Sequence, residues 1–433
     1  MDNPFYHRGA IRDEVYFHGR ARETEQILNL LVKGQSVSLI GPRRIGKSSL
    51  LLHLCRPEVH ERHDVATQKY LFAYIDCQEI GDWTADEIYG LVVDTLLDVL
   101  EDRGESLENI PNHRGYRGLD RLLNRIKRNG LQVALLLDEF ELLAANEQLT
   151  PYFFARLRGL TTKYGLAFLT ASQRPLFEIT ADEEILSSPF FNIFVSIPLG
   201  LFPVAEAQSM WQARLAQTPA LGDDGYWYHA SRLVGYHPFF LHIVGYYLWQ
   251  VGQDGHGIDW DQVTKLTLRE VNDHFGYMWQ TLTTVEQRGL VLLRATVEVW
   301  RVLELLCLVN AVDERPDYTS VLLADFVRRQ SVADVVQFDP FVIDLTQRLV
   351  LIDGEEYSLT GSQYSLLACL VRHADRMVTA GDLETAVWGE ALTNDPDRLK
   401  TLIKRLRRAI EPYDGWIVSG RGIGYALRSL PVL

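Results

Sequence analysis

One short stretch of the sequence has the residue types and spacing of a loop that binds phosphate groups. The pattern G-x-x-x-x-G-K-[ST] is matched by Gly41, Pro42, Arg43, Arg44, Ile45, Gly46, Lys47 and Ser48. Such a loop needs glycine because its backbone N–H groups must turn inward and approach the phosphates closely. We expect the loop to bind ATP or ADP, with Lys47 reaching the β phosphate and, in ATP, the γ phosphate, and with the Ser48 hydroxyl holding Mg²⁺. Ser49 joins the predicted nucleotide-binding set because it opens the helix whose positive end favours the anion.

An acidic pair further along the chain has the chemistry that nucleotide hydrolysis needs. The apolar residues 133–137 are followed directly by Asp138 and Glu139. Asp138 would support Mg²⁺, and Glu139 would polarise the attacking water. An acidic pair after an apolar strand is also a common helix cap. Together with the phosphate-binding loop, however, it predicts a catalytic set of Lys47, Asp138 and Glu139.

A polar segment follows another apolar run. Residues 166–169 lead into Thr170, Ala171, Ser172, Gln173 and Arg174. A polar side chain at the end of a central strand would touch the γ phosphate, and we assign Ser172 to the nucleotide-binding set. A plain polar loop end is the alternative. Arg174 or Arg156 could act as an arginine finger offered to a neighbouring subunit, and the sequence does not choose between them.

The pattern of apolar runs predicts the elements that position these residues. Four short β-rich runs alternate with amphipathic stretches, which is typical of a doubly wound parallel sheet. The runs are residues 37–40, 70–76, 133–137 and 166–171, and they are nearly all apolar, as buried parallel strands should be. Residues 204 to about 301 have helix-like apolar spacing. We therefore expect an α/β P-loop NTPase core at 1–200 and a helical lid with linker helices at 201–335.

The C-terminal part predicts a separate domain of strands and helices. After Pro316 the pattern indicates further helices to about residue 337, followed by short strands. These strands are residues 341–343, 349–352 and 355–359, with a turn at Asp353-Gly354. We place this domain at 336–433.

A cationic helix is predicted inside this domain. Asp395 supplies an N-cap and Pro396 the first helical position, so a helix should run from there to about Ile410. Its apolar stripe consists of Leu399, Leu402, Ile403, Leu406 and Ile410, and its opposite face of Thr401, Lys404, Arg405 and Arg408. From residue 398 onward, eight Lys or Arg residues stand against two acidic residues. A solvated basic surface is the simpler alternative for such a charge run.

Two further features resemble bacterial and archaeal STAND-type ATPases of the AAA+ class. Asn3-Pro4-Phe5 and Phe17-His18-Gly19-Arg20 resemble the segment that usually lines the adenine pocket in that family. Gly235-Tyr236-His237-Pro238-Phe239-Phe240-Leu241 resembles the G-x-P motif that closes the lid over the nucleotide, although such a motif also occurs at a simple helix kink. The resemblance covers roughly residues 3–300 and implies that Arg20 and Pro238 bind the nucleotide. The sequence contains no repeat array of the kind that ends many signalling ATPases.

Residues 338–428 resemble the OmpR/PhoB-type winged helix. The resemblance is carried by the short strands, Leu359-Thr360-Gly361-Ser362-Gln363-Tyr364-Ser365-Leu366-Leu367, the basic helix and Ile417-Val418-Ser419-Gly420-Arg421-Gly422-Ile423-Gly424-Tyr425. It implies that the third helix enters the DNA major groove and that the wing contacts the neighbouring minor groove. The residues so implied to bind double-stranded DNA are Arg398, Thr401, Lys404, Arg405, Arg408 and, in the wing, Arg421. Lys400 stands where this family often has an acidic residue, and the sequence shows no receiver domain.

Composition limits the class of protein. The chain has 433 residues with 47% hydrophobic content, which is enough for several buried cores. No apolar run approaches the roughly 18 residues of a membrane span, so we expect a cytoplasmic protein that does not use a membrane. The four cysteines stand singly, which indicates neither a zinc site nor a disulfide framework. Because the formal net charge is −14, any contact with DNA must be local.

Together these features predict a molecular switch that binds ATP, hydrolyses it slowly and thereby controls DNA binding by the winged helix. Transcription regulation, or defence or stress signalling, is the expected setting. We expect ATP to promote a homo-oligomer and a protein partner to supply the signal. Two alternatives stay open: a replication initiator or transposition-type AAA+ ATPase, and an ATP-gated scaffold whose winged helix binds protein.

Overall fold

The computed structural model describes most of the chain. The described residues are 3–5, 9–63, 65–105, 115–179, 188–218, 225–252, 258–310, 317–391, 396–420 and 422–428. They form two compact units, one within residues 1–271 and 305–307 and the other within 272–304 and 308–433. The division into domains at 1–200, 201–335 and 336–433 stays a prediction. No helix in the described ranges is long and apolar enough to cross a membrane.

Five parallel strands form the central sheet of the first unit. They are β1 (Ser36–Ile40), β2 (Tyr70–Asp76), β3 (Gln132–Asp138), β4 (Ala167–Ser172) and β5 (Phe194–Pro198). Their spatial order is β2-β3-β4-β1-β5. β1 and β4 are buried along their whole length, and so is β3 after Gln132, which explains why these runs are almost entirely apolar. The predicted parallel α/β sheet is confirmed, whereas β5 was not predicted.

Helices cover both faces of this sheet. Up to β5 they are α1 (Ala21–Leu31), α2 (Lys47–Leu54), α3 (Pro57–Arg62), α4 (Ala85–Asp102), α5 (Tyr116–Arg128), α6 (Phe140–Ala144), α7 (Pro151–Tyr164) and α8 (Leu176–Ile179). Apolar residues of α1 to α3 share a core with Leu136 of β3, and those of α4 to α8 share another core with Leu135. Successive residues of a strand point to opposite faces, so one continuous apolar strand serves both cores.

Helices follow β5, as expected for a lid. They are α9 (Val204–Leu215), α10 (Tyr226–Val234), α11 (Pro238–Gly252) and α12 (Trp260–Thr281). The boundary between the two compact units lies within α12. The N-terminal segment packs closely on α11, because a Cβ atom at Gly245 would lie only 2.1 Å from Cδ1 of the buried Phe5. Glycine at position 245 therefore makes room for the phenyl ring.

Helices and a short hairpin come next. They are α13 (Thr284–Leu292), α14 (Val297–Leu305), β6 (Val309–Asn310), β7 (Asp317–Tyr318) and α15 (Val321–Val327). The prediction of helices up to about residue 337 was wrong at its end. The β-branched Val335 and Val336 belong to a strand, where they pair with Asp344 and Ile343.

A four-stranded antiparallel sheet opens the C-terminal domain, in the order β11-β10-β9-β8. Its strands are β8 (Val335–Phe338), β9 (Phe341–Asp344), β10 (Leu349–Ile352) and β11 (Glu355–Glu356). Asp353 and Gly354 have positive φ angles of 54° and 78° and form the predicted two-residue turn between β10 and β11. β11 is shorter than the predicted strand at 355–359.

Three helices and a wing complete this domain. Its elements are α16 (Gly361–Arg372), β12 (Val378–Thr379), α17 (Ala380–Trp388), α18 (Pro396–Ala409), β13 (Ile417–Gly420) and β14 (Gly424–Leu427). β14 lies between β12 and β13. A Cβ atom at Gly424 would lie 1.9 Å from the carbonyl oxygen of Val378, so glycine at this position allows β14 of the wing to pair with β12. The winged-helix architecture and the predicted cationic helix, α18, are confirmed, while the predicted N-cap Asp395 lies outside the described residues.

Candidate nucleotide site and DNA interface

The phosphate-binding loop joins the end of β1 to the start of α2. A Cβ atom at Gly41 would lie 2.5 Å from the carbonyl oxygen of Leu199, and Gly46 has a φ of 107°. A larger residue at either position would clash or be strained. The backbone N–H of Gly41 donates to the carbonyl of Ser172, which ties the loop to the end of β4. These contacts place the loop at the carboxyl edge of the sheet, where ligands of open α/β sheets bind.

Lys47 lies beneath this loop with its ammonium group held by the protein. Its side chain is 5% exposed, and Nζ donates to the carbonyl oxygens of Gly41 (2.8 Å) and Pro42 (3.1 Å). Burial lowers the pKa of Lys47, and the nearby carboxylates of Glu141, Glu139 and Asp138 oppose that shift. A bound phosphate would replace the two carbonyls as the partner of the ammonium group.

Asp138 ends β3 and is fixed by two hydrogen bonds. The hydroxyl of Tyr74 donates to its Oδ2 (3.0 Å), and the backbone N–H of Glu139 donates to its Oδ1 (3.0 Å). The residue is 2% exposed. Its carboxylate and the hydroxyl of the half-buried Ser48 are oxygen groups of the kind that Mg²⁺ prefers, and their role as Mg²⁺ ligands stays a prediction. No cluster of three or more His, Cys, Asp or Glu residues that could hold a metal ion occurs among the described residues.

Glu139 stands at the N-terminus of α6 in a left-handed conformation, with a φ of 49°. Its side chain lines the same cavity as the phosphate-binding loop. Burial raises the pKa of Glu139, as do the charges of Glu141 and Asp138, while Lys47 acts in the opposite direction. The carboxylate is therefore a stronger base than an exposed glutamate, which suits the abstraction of a proton from water.

A cavity of about 280 Å³ lies over the loop, between the core and the lid of the first unit. Its lining includes the predicted residues Arg20, Arg43, Arg44, Ile45, Gly46, Lys47, Ser48, Ser49, Glu139 and Pro238. Tyr16, Phe17 and Phe239 give it aromatic walls. A cavity lined by both phosphate-binding and aromatic residues matches the two chemically different parts of a nucleotide. The other predicted residues of the site do not line this cavity, namely Gly41, Pro42, Asp138 and Ser172.

Arg20 joins three parts of the first unit. Its guanidinium group donates to the carbonyl oxygens of Ile45 (3.2 Å) in the loop and Gly200 (2.7 Å) after β5. Its backbone N–H donates to Glu206 of α9 (2.9 Å), and the guanidinium lies 4.5 Å from the ring centre of Phe202. Arg20 therefore links the loop to the first lid helix in addition to lining the cavity.

The segment after β4 contains a hydrogen-bonded network that reaches α6. The buried Ser172 hydroxyl donates to the carbonyl of Arg174 (2.7 Å). Gln173 donates to Glu141 from its backbone N–H (3.3 Å) and its side-chain amide (3.1 Å). Arg174 pairs with Glu178 (3.4 Å). The contact of Ser172 with the γ phosphate stays a prediction.

The second candidate arginine finger lies apart from this network, on α7. The guanidinium group of Arg156 lies 5.0 Å from the ring centre of Tyr116 on α5. Neither Arg156 nor Arg174 lines the cavity. Both assignments stay predictions.

Sequence reasoning missed several residues of this site. Tyr74 contacts the predicted residue Asp138, Glu141 contacts Gln173 beside the predicted Ser172, and Gln78 and Phe202 line the cavity. The position of Gln78, two residues after the end of β2, was the available signal, because parallel strands present their ligands at their carboxyl ends.

The N-terminal segment connects the phosphate-binding helix to the lid. The backbone N–H of Ile11 donates to Ser49 in α2 (2.9 Å). The Asn3 amide donates to the carbonyl of Tyr246 in α11 (3.1 Å), and Arg214 of α9 donates to the carbonyl of Tyr16 (2.8 Å). The described parts of this segment therefore contact both the core and the lid. Of the residues that the STAND resemblance implies for the adenine pocket, Phe17, His18 and Arg20 line the cavity, whereas Asn3, Pro4 and Phe5 do not.

The cationic helix α18 has one buried and one exposed side. Leu399, Leu402, Ile403, Leu406 and Ile410 lie in the core of the winged helix. The predicted DNA-binding residues Arg398, Thr401, Lys404, Arg405 and Arg408 are all exposed. Arg407 differs, because its guanidinium donates to the carbonyl of Ile417 in the wing (2.5 Å). Arg421 lies outside the described residues.

Two families match parts of this sequence. Residues 23–299 match nSTAND2, described as Novel STAND NTPase 2, and thus cover more than half of the chain. The chain belongs to the nSTAND2 family. C-terminal to the nSTAND2 domain in the sequence, residues 354–427 match the family described as Transcriptional regulatory protein, C terminal. Both resemblances inferred from the sequence are confirmed.

Curated relatives match the C-terminal part. KdpE, a transcriptional regulatory protein of Mycobacterium tuberculosis, is 31% identical over 107 residues, which are 23% of this chain and 47% of KdpE. RegX3, a sensory transduction protein of Mycolicibacterium smegmatis, is 33% identical over 96 residues, which are 22% of this chain and 42% of RegX3. The chain therefore spans about half the length of the curated relatives that it matches.

One solved structure extends the comparison to most of the chain. The Walker-type ATPase PABY2304 of Pyrococcus abyssi aligns with a TM-score of 0.53 and 15% identity, over 75% of this chain and 99% of that one. At this identity the likeness concerns the fold. The chain thus combines an NTPase domain with a DNA-binding domain of the response-regulator type.

Proposed function

We propose that this protein is a molecular switch in which ATP binding and slow hydrolysis by the nSTAND2 domain control how the winged helix binds double-stranded DNA. The proposed setting is transcription regulation, or defence or stress signalling. The observation that carries the proposal is the presence, in one chain, of a lidded phosphate-binding cavity and an exposed cationic helix in a winged-helix domain.

The nucleotide step follows from the groups around the cavity. Lys47 would exchange its two carbonyl partners for the β and γ phosphates. Ser48 and Asp138 would hold Mg²⁺, which supplies neutralisation of phosphate charge when bound. Glu139, whose pKa is raised, would take a proton from the water that attacks the γ phosphate. The product ADP would remain a ligand of the same loop.

The switch requires that the nucleotide favour one arrangement of core and lid over another. Arg20 supports this, because a single side chain touches the phosphate-binding loop and the lid-side ring of Phe202. A change in the loop on phosphate binding would therefore act on the contact with Glu206 in α9. Release of the γ phosphate would reverse it.

The DNA step follows from the charge distribution. On a chain with a net charge of −14, the exposed cations of α18 offer few phosphate contacts, so one chain alone would bind weakly. We propose that ATP favours a homo-oligomer, in which paired winged helices bind through two sites at once. A protein partner would supply the triggering signal.

The test is retardation of labelled random-sequence duplexes at moderate salt with ATP, with ADP and without nucleotide. The proposal expects affinity to depend on the nucleotide in the wild type and not in a Lys47→Ala variant. Nucleotide binding without any duplex binding in all three states would contradict it and would favour a scaffold whose winged helix binds protein.

A further inference from the structure

Two neighbouring helices of the nSTAND2 domain carry opposite charges on their exposed sides. On α4, the exposed carboxylates are Asp94, Asp98, Glu101 and Asp102, which we name the acidic stripe. On α5, the exposed guanidinium groups include Arg117, Arg121 and Arg128, which we name the basic stripe. Within each stripe the residues recur at helical spacings, so they lie along one side of their helix.

The two helices present these stripes side by side. The apolar residues of α4, such as Val93 and Leu96, share one hydrophobic core with Leu119 and Leu122 of α5. This core holds both helices on the same face of the sheet and leaves their charged sides in solvent. The result is a surface in which a band of negative charge adjoins a band of positive charge.

Among the described residues, the charged side chains of the two stripes do not pair with one another. No side chain of either stripe forms an ion pair or a hydrogen bond to another side chain in the described ranges. The nearby pairs involve other residues, namely Arg103 with Glu105 and Lys163 with Asp120. As far as the structure describes the chain, both stripes therefore remain open to a partner.

The acidic stripe and the basic stripe lie next to each other, and this arrangement of charge favours one kind of partner. A nucleic acid would be attracted by the basic stripe but repelled by the acidic stripe beside it. A complementary partner must carry both signs next to each other, and a second copy of this chain does so. Rotated by a two-fold axis, its acidic stripe faces the basic stripe of the first copy and its basic stripe faces the acidic stripe.

We propose that α4 and α5 form a two-fold self-association surface in which the acidic stripe of each chain pairs with the basic stripe of the other. This inference rests on the self-association in the proposed function and names the surface that produces it. Because exposed ion pairs are individually weak, the pairing needs several of them and weakens when salt is raised. A two-fold pair would also present two winged helices to two half-sites of DNA.

Charge exchange tests this surface. One variant carries Arg117→Glu, Arg121→Glu and Arg128→Glu, and the other carries Asp94→Lys, Asp98→Lys and Glu101→Lys. We expect light scattering with ATP and Mg²⁺ to give about twice the chain mass of 49.5 kDa for the wild type. Each variant alone should pair at least roughly tenfold more weakly, because like charges then face each other. An equimolar mixture of the two should pair again, since their stripes are then complementary, and this recovery shows that both variants fold.

A control variant separates the surface from a general effect of charge. Arg22→Glu, Lys265→Glu and Arg269→Glu change the net charge by the same amount as the basic-stripe variant, but at exposed positions of α1 and α12, and should pair like the wild type. A wild type that stays at 49.5 kDa with ATP and with ADP would overturn both self-association and this surface. If the wild type pairs and the two stripe variants pair equally well, the surface is wrong while self-association stands. A basic-stripe variant that pairs normally but loses duplex affinity relative to the control would assign the stripe to DNA instead.

Discussion

The hydroxyl of Tyr74 donates a 3.0 Å hydrogen bond to Oδ2 of Asp138, the carboxylate predicted to support Mg²⁺. Burial raises the pKa of Tyr74 well above its usual value, and the charge of Asp138 adds to that shift, so the hydroxyl remains a donor at any physiological pH. The backbone N–H of Glu139 holds the other oxygen. Both bonds orient the carboxylate before any ion arrives.

Tyr74→Phe should therefore weaken Mg²⁺ binding while leaving the cavity intact. Removal of a group that orients a metal ligand typically costs about tenfold to a hundredfold in metal affinity. The measurement is nucleotide affinity as a function of Mg²⁺ concentration, with affinity in EDTA as the reference. Tyr70→Phe is the matched control, because Tyr70 lies on the same strand but donates to the carbonyl of Val32. Equal Mg²⁺ dependence in the two variants would show that the Tyr74 bond does not position Asp138.

Lys47→Ala should remove most nucleotide affinity. A hydrogen bond to a charged group contributes about 1.5 to 3 kcal/mol, and Lys47 should make more than one such bond to the phosphates. The expected loss is at least roughly tenfold to a hundredfold in dissociation constant. Titration calorimetry with ATP and ADP measures it. Unchanged affinity would place the nucleotide elsewhere.

Glu139→Gln should keep ATP binding but slow hydrolysis by about a hundredfold or more, because the amide cannot accept a proton. The wild type should also lose turnover as the pH falls through the pKa of Glu139. Since burial raises that pKa, the loss should occur at a higher pH than for an ordinary glutamate. Rates of phosphate release across a pH series check both points. Turnover at the wild-type rate in the variant would assign the base to another residue.

The nucleotide site shows which residues a sequence reveals. The loop and the Asp138-Glu139 pair were predictable because each follows an apolar strand at the same edge of a parallel sheet. Tyr74 was not, because its contact depends on the register of β2 against β3, in which Tyr74 pairs with Leu136. The apolar run at residues 133–137 of β3 does not reveal its register, since it has no distinct polar face.

There is also a physical reason why the sequence did not predict β5. β5 has only one buried residue, Ile197, and its Val195 and Ser196 are exposed at the edge of the sheet. A strand of this kind lacks the continuous apolar run that marked β1 and β3. The hydrogen bonds of Arg20 could not be predicted either, because the carbonyl groups of Ile45 and Gly200 come from distant parts of the sequence.

Arg288→Ala should destabilise the second unit. Arg288 of α13 pairs with the fully buried carboxylate of Asp344 in β9 through both Nε and Nη2. Burial would raise the pKa of Asp344, but the bonds from Arg288 and from the backbone of Gln347 and Thr346 bring it below its usual value. A buried charge that loses its partner costs about 1 to 3 kcal/mol or more.

Hydrogen exchange of the β9 and β10 amides is the measurement for this change. Arg294→Ala is the control, because its partner Glu356 is exposed and such pairs contribute about 0 to 1 kcal/mol. The ionised Asp344 should stabilise the second unit at neutral pH. Because the pKa of Asp344 is lowered, this contribution to the free energy of unfolding should be lost only as the pH falls through that pKa, below the usual aspartate range. Equal exchange in both variants would contradict the role of the Arg288 pair.

Lys404→Ala and Arg408→Ala should weaken duplex binding, because both side chains are exposed on α18 and oppose its buried stripe. A lost phosphate contact weakens binding to all sequences alike and lowers the salt slope by about one unit. A lost base contact costs roughly 1 to 3 kcal/mol of discrimination between sequences. Titration at several salt concentrations separates the two kinds of contact. Lys400→Ala should have a smaller effect, since its ammonium already pairs with Asp397 at 3.0 Å. The triple variant in which alanine replaces Lys404, Arg408 and Arg421 should bind duplex much more weakly than the wild type. If its duplex affinity is unchanged, the winged helix binds a protein partner rather than DNA.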